Sequence, residues 1–299
     1  MVESPADAAA DSGLSAHVEL ATRGGQTTAA PTLVDNVETL ANIPRIVARG
    51  AAWFRTAGTE QSPGTIVCTI TGSTQQAGVG EVVMGTSLRE VIDLVGGGPR
   101  DGHTVKAVLS GVSNAFITAD KLDTPLTYED MVAAGSGLGS CGFIVFDDTD
   151  DMPAVVAGAS RFLAVESCGQ CTPCKEDGLA LSAVLSRIAR SEADADDLTQ
   201  TQSLAATVAN EARCFLATQH QTVVTSLLES FSDEVTAHIS KAIPASAPVL
   251  FAELLGIDGG AAQSDERQHE KQPDWSFDAE DSGKWPAAKL DDQRSEATD

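Results

Sequence analysis

Three cysteines, Cys168, Cys171 and Cys174, recur at every third residue in the run Glu166-Ser167-Cys168-Gly169-Gln170-Cys171-Thr172-Pro173-Cys174-Lys175, and a fourth, Cys214, follows forty residues after the last of them. Three thiolates so close in sequence can converge on one inorganic centre only if each sits on a tight turn. The fourth must then be delivered by a distant helix. A three-plus-one set of thiolates is the ordinary way to hold a [4Fe–4S] cluster. Zinc is the rival, although its sites usually pair two C-x-x-C knuckles or combine Cys with His. A disulfide framework belongs to small secreted chains, which a sequence of 299 residues without an export signal does not match. His220, six residues beyond Cys214, could in principle replace a thiolate, but its plainer reading is a histidine on a helix surface. The remaining cysteines, Cys68 and Cys141, read as small buried apolar residues within strands, not as ligands.

The charge narrows the partners. The chain carries 43 acidic and 19 basic residues, a net charge of −24. Nucleic-acid binding needs clustered Lys and Arg, which are absent, and an anionic membrane surface is disfavoured for the same reason. The acids gather at Asp147, Asp148, Asp150 and Asp151, at Glu192, Asp194, Asp196 and Asp197, and in the tail. Such a surface suits a salt-adapted cytoplasm, where screening relieves self-repulsion, so a halophilic origin is expected. The longest apolar stretch, residues 249–257, is short and contains Glu253, and no run approaches the length of a membrane span. A reducing, cytoplasmic setting without membrane insertion is expected.

Periodicity divides the chain. Residues 1–30 are rich in Ala, Gly and Thr and read as disordered. Residues 31–62 read as a helical linker around Val37, Leu40 and Val47, with Pro44 starting a new helical turn and Trp53 and Phe54 packing between domains. Over residues 63–148 the period is first that of strands. Ile66, Cys68 and Ile70 alternate with Val67, Thr69 and Thr71, and a second strand covers 79–84. Ser87 and Glu90 form a capping box for a helix whose face is Leu88, Val91, Ile92 and Val95, ended by Gly96-Gly97-Gly98. A strand at 105–109, a short helix at 128–133 and a strand at 143–146 complete a ββαβ order of β-grasp (ubiquitin-like) type.

Residues 152–240 carry helical stripes: Met152, Val155, Val156, Ala159 and Leu163; Leu181, Val184, Leu185 and Ile188; and Val224, Leu227, Leu228, Phe231, Val235 and Ile239 as one run of four turns. With a shorter helix around Leu204 and Val208, they predict a four-helix bundle that brings Cys214 to the three-cysteine loop. The fold class is therefore α+β: a small β-grasp domain followed by an all-α bundle carrying an iron–sulfur cluster. Residues 259–299, with eleven acids and five bases, read as a disordered tail in which Trp275 and Trp285 invite docking. Ser110 and Ser113 have no histidine pattern near them, so no hydroxyl nucleophile is expected.

The segment Pro31-Thr32-Leu33-Val34-Asp35-Asn36-Val37-Glu38-Thr39-Leu40-Ala41-Asn42-Ile43-Pro44 resembles the linker of the NADH-binding (F-type) flavoprotein component of respiratory complex I and of the related diaphorase components of NAD-reducing hydrogenases and formate dehydrogenases. Gly135-Ser136-Gly137-Leu138-Gly139-Ser140 and the cysteine run match the same family, over roughly residues 31–240. The resemblance implies the order linker, soluble-ligand-binding β-grasp (SLBB) domain, four-cysteine bundle. It implies that Cys168, Cys171, Cys174 and Cys214 ligate a [4Fe–4S] cluster fed by a reduced flavin; Lys175 and Arg213 adjoin ligands and read either as a partial offset to its charge or as solvated helix charges. Of the family's paired flavin-lining asparagines only Asn36 carries over, since Asp35 stands at the other position.

Departures matter as much. The family's NADH- and FMN-binding domain would precede the linker, yet a βαβ nucleotide unit needs about thirty strongly patterned residues and the thirty here show none. FMN and NAD are expected only through a partner chain or a missing domain. Phe215-Leu216-Ala217 replaces the small-residue turn usual after the fourth cysteine. The resemblance implies an iron–sulfur electron-transfer subunit of an NADH-linked oxidoreductase, unable to catalyse alone. Its partners would be a flavin/NADH-binding chain and a further iron–sulfur or thioredoxin-like subunit. The other readings are a non-catalytic assembly or redox-sensing module and a truncated remnant of the flavoprotein component.

Overall fold

A computed structural model describes residues 35–273 and 275. By contact the chain divides into two units: one takes in residues 35–54, 270–273 and 275 among those described, the other residues 55–269. In the first unit, helix α1 (Val37–Arg49) is capped by Asn36, whose side chain accepts from the Glu38 N–H at 2.8 Å. The helix runs on through Pro44, so the new turn expected there does not interrupt it. A proline supplies no N–H to the ladder, which makes this a weak point in the helix. Helix α2 (Ala51–Phe54) follows, and the Arg49 guanidinium lies 5.0 Å from the Trp53 ring centre. The expected disorder of 1–30, linker residues 31–34 and the tail's Trp285 lie outside the described residues.

The second unit begins with β1 (Thr65–Gly72), β2 (Gly78–Val83), helix α3 (Leu88–Gly96), β3 (Val105–Ser110), β4 (Ile117–Thr118), helix α4 (Tyr128–Ala133) and β5 (Gly142–Asp147). The sheet order is β2-β1-β5-β3-β4. Strand β1 is antiparallel to β2, with Cys68 opposite Gly80, and parallel to β5, with Ile70 opposite Phe143. The capping box of α3 forms as expected, and Gly97, at φ 73°, closes the helix in a conformation costly to any residue with a Cβ. Strand β4 is too short to carry a period and was not expected. Cys68 is buried in β1, but Cys141 does not lie within a strand: it precedes β5 at φ 59°, buried in a turn.

Strand alternation sends side chains to opposite faces, and at β3 and β5 both faces are covered, whereas Val67, Val79 and Val83 of β1 and β2 stay exposed. Cys68, Ile70, Val108, Phe143 and Val145 pack with Leu88, Val91 and Ile92 of α3. Ala107, Leu109 and Phe146 point the other way, into a second core built with helices α5 (Met152–Val165), α6 (Thr172–Ala189), α7 (Ala195–Thr207), α8 (Phe215–Ser230) and α9 (Ser232–Ile239). The sheet and the helices therefore share a core. Phe116 marks the joint. Its ring meets Phe146 edge-on at 6.1 Å and Phe231 at 5.6 Å, and its N–H donates to Ser226 Oγ at 2.9 Å.

Two expectations about helical extent are corrected. The stripe from Val224 to Ile239 is two helices: Phe231, at φ −132° and ψ 31°, breaks the run and turns its ring toward Phe116. The tail expected to be disordered from Gly259 instead begins with a hairpin, β6 (Leu254–Asp258) paired with β7 (Ala261–Ser264), where Gly259 and Gly260 at positive φ make the turn. A 3₁₀ turn, Glu266–His269, follows with Asp265 and Gln268 buried. Segment 249–269 lies along α5: Val249 N–H donates to Ala154 O at 3.0 Å, and a Cβ on Gly158 would meet Val249 O at 1.8 Å. Among the described residues no helix is long and apolar enough to cross a membrane.

Candidate iron–sulfur site

Helix α5 ends at Val165, and residues 166–171 form the loop that leads into α6. Gly169, at φ 70°, supplies the left-handed turn between Cys168 and Cys171. Cys171 is the N-cap residue of α6, and Cys174 sits in its first turn after Pro173. Cys214 is the N-cap residue of α8. Neither capping cysteine makes a side-chain bond to its helix. Ser, Thr, Asp or Asn would ordinarily fill an N-cap and satisfy a first-turn N–H. With Cys there, two helix N-termini present N–H groups and positive dipole ends to whatever the sulfurs hold, which favours thiolates and an anionic centre.

All four thiols line one cavity of about 260 Å³, together with Glu166, Ser167, Gln170, Ala212, Arg213, Leu216 and Ala217. Cys168 and Cys214 are exposed, Cys171 and Cys174 half-buried. The Arg213 guanidinium donates to Gln170 Oε1 at 3.1 Å and so ties the Cys214 loop to the Cys168–Cys171 turn. Lys175 does not line the cavity. Ser167, 2% exposed, lies 3.3 Å from Cys174 Sγ through its hydroxyl. Burial raises the Cys174 pKa, the Ser167 hydrogen bond opposes that, and Cys214, Cys168 and Cys171 push it further up. Four thiolates gathered here need a cationic partner.

Among the described residues, His103, Asp147 and Asp148 form a set of three side chains whose ligating atoms lie within 4.8 Å of one another. The acidic set has its own explanation: buried Asp147 accepts from Arg100 Nε at 2.7 Å and from the Thr149 hydroxyl at 2.7 Å.

His220 is not on a helix surface and does not line the cysteine cavity. It is 1% exposed on the inner face of α8, with Nε2 2.6 Å from Ser160 Oγ of α5 and its ring against Gly178 of α6. Burial lowers its pKa to about 4, so it is a neutral core residue. Asn36 stands in the other unit as the cap of α1, and Asp35 Oδ1 accepts from its N–H at 2.7 Å. Ser167 was missed by sequence reasoning; the only available signal was its place between Glu166 and a ligand candidate.

Residues 154–238 match the NADH-ubiquinone oxidoreductase-F iron-sulfur binding region. This iron–sulfur region contains all four cysteines of the cavity. The chain is similar to NADP-reducing hydrogenase subunit HndC of Solidesulfovibrio fructosivorans, 40% identical over 210 residues that make up 70% of this chain and 43% of that protein. It is 39% identical over 214 residues to an F-type component of the NADH-quinone oxidoreductase of Rhizobium meliloti, covering 71% of this chain and 51% of the relative. The structure of an NAD+-reducing [NiFe]-hydrogenase in the H2-reduced state aligns with a TM-score of 0.63 and 30% identity, over 71% of this chain and 35% of the other. The chain thus spans about half the length of the curated relatives it matches and resembles the C-terminal part of F-type components.

Proposed function

We propose that Cys168, Cys171, Cys174 and Cys214 ligate a [4Fe–4S] cluster and that the chain relays single electrons within an NADH-linked oxidoreductase. The carrying observation is that four thiols from two helix N-termini and one connecting turn line a single cavity, within a stretch that matches an iron–sulfur binding region. The bound cluster supplies one-electron acceptance and release, which a hydride donor lacks. This chain's residues do the rest: the helix N-termini favour negative charge, Arg213 braces the two ligand loops, and the apolar side chains of Leu216 and Ala217 limit water around the sulfurs. The flavin and NADH are assigned to a partner chain or a further domain, and a second iron–sulfur or thioredoxin-like subunit is the expected neighbour.

The sheet is read as a β-grasp domain of SLBB type, supported by the order β2-β1-β5-β3-β4, the parallel β1–β5 pair and α3 across one face. The helices are read as the family's four-helix iron–sulfur bundle, with α9 the continuation of α8 beyond Phe231. The exposed thiols of Cys168 and Cys214 make the side facing solvent the side for electron exchange.

The test is anaerobic purification followed by iron and sulfide analysis, low-temperature EPR after dithionite reduction, and a flavin assay on the same sample. Four irons and four sulfides per chain with a reduced cubane signal and no flavin support the proposal. Stoichiometric zinc, or a folded chain without metal after iron–sulfur reconstitution, refutes it.

A further inference from the structure

Ser167 is placed to do more than fill space. Its Oγ accepts from the Gly169 N–H at 3.3 Å, which leaves the hydroxyl's one hydrogen for the Cys174 sulfur, also at 3.3 Å. A ligating thiolate can only accept, so with iron bound the direction of that bond is fixed. The side chain is shielded from water, and a hydrogen bond there meets little competition.

The residue before it is held from far along the chain. Glu166 Oε1 accepts from Gln268 Nε2 at 2.9 Å, and Gln268 is 5% exposed. Arg161, one turn earlier on α5, donates to the carbonyls of Gln268 at 3.0 Å and His269 at 2.8 Å. Asp265 grips Arg267 within the same turn and donates its N–H to Glu253 O at 2.9 Å. Residues 265–269 are thus a strap across the end of α5, where the cysteine loop begins.

We propose that Ser167 is a positioning residue whose hydroxyl, donated to the Cys174 sulfur and steadied through Glu166 by Gln268, raises the reduction potential of the cluster bound at these cysteines. The inference rests on the ligand assignment above. An added electron makes the ligand sulfurs more negative, so a donor aimed at one of them stabilises the reduced form more than the oxidised one. The proton stays on oxygen throughout: one electron enters and no bond to hydrogen breaks.

The test compares wild type, Ser167→Ala, Ser167→Thr and Gln268→Ala, each with iron and sulfide content measured before an EPR-monitored redox titration. A wild-type chain that binds no cluster sinks the ligand assignment itself, independently of Ser167. With full loading, the expected result is a lower midpoint potential in Ser167→Ala, a value near wild type in Ser167→Thr, and a smaller downward shift in Gln268→Ala. An unchanged potential in loaded Ser167→Ala overturns the proposal, and an unchanged potential in Gln268→Ala overturns the part played by the strap. Should Ser167→Ala fail to load, the titration of Gln268→Ala decides, and a potential unchanged from wild type there overturns the proposal. Loss of the cluster in both Ser167 variants overturns the hydrogen-bond account in favour of packing.

Discussion

His220 gives the chain an acid sensitivity that can be measured apart from that of its many carboxylates. In the folded chain the ring is shut between α5, α6 and α8, and desolvation holds its pKa at about 4. In the unfolded chain it titrates at about 6.5. At high pH both states are neutral and the residue adds no pH dependence. As pH falls through about 6.5 the unfolded chain takes up a proton that the folded chain refuses, so stability falls with pH until about 4, where the folded ring also charges. The full loss is about 3 kcal/mol, and the part between about pH 7.5 and pH 5 is about 2 kcal/mol. Replacing His220 with Gln keeps hydrogen-bonding capacity toward Ser160 and removes the titration. Urea unfolding at both pH values should show wild type losing about 2 kcal/mol more than the variant on acidification, whatever the carboxylates contribute to both. Equal losses in the two chains would refute the reasoning and mean that the ring is wet or already charged in the folded state.

Cys214→Ser should remove one corner of the ligand set, leaving a three-iron EPR signal or iron well below four per chain, whereas Cys68→Ser, on a buried strand, should leave iron content unchanged. Gly158→Ala should cost about 2 kcal/mol or more in urea unfolding, because the new methyl group would overlap the Val249 carbonyl 1.8 Å away and drive segment 249–269 off α5. With a net charge of −24, the thermal midpoint should rise steadily with potassium chloride and fall on dialysis against low-salt buffer; a midpoint indifferent to salt would remove the halophilic reading.

The elements of the sheet were legible wherever a period ran long enough. Ile66, Cys68 and Ile70 announced β1, and Ser87 with Glu90 announced the start of α3, because alternation and capping are local properties of the chain. The ligand candidates were legible for a related reason: thiol spacing is written in the sequence even though convergence is not. What failed depended on distant packing. His220 lies on α8, and whether its face meets solvent or Ser160 is decided by α5, sixty residues earlier. Phe231 continues a helical stripe, yet its ring is claimed by Phe116. The hairpin at residues 254–264 has strands too short to show a period, and what holds its segment is distant in sequence: the Ala77 N–H donates to Gly260 O at 2.6 Å, while Ala154, Arg161 and Glu166 bond to residues 249 and 268. Ser167 escaped notice because a lone serine has no pattern until its neighbours are placed.

The double-faced sheet has a consequence for how this stretch can be handled and inherited. Ala107, Leu109 and Phe146 leave one layer to complete the core of the next, and Phe116 is wedged against both Phe146 and Phe231. A cut at residue 150 would strip the helices of part of their interior and lay bare an apolar patch on the sheet. The two halves should therefore melt in a single transition and fail as separately expressed fragments. A gene rearrangement that moved the iron–sulfur helices without the sheet would deliver an incomplete core, so the stretch from Arg55 to His269 behaves as one transferable cassette.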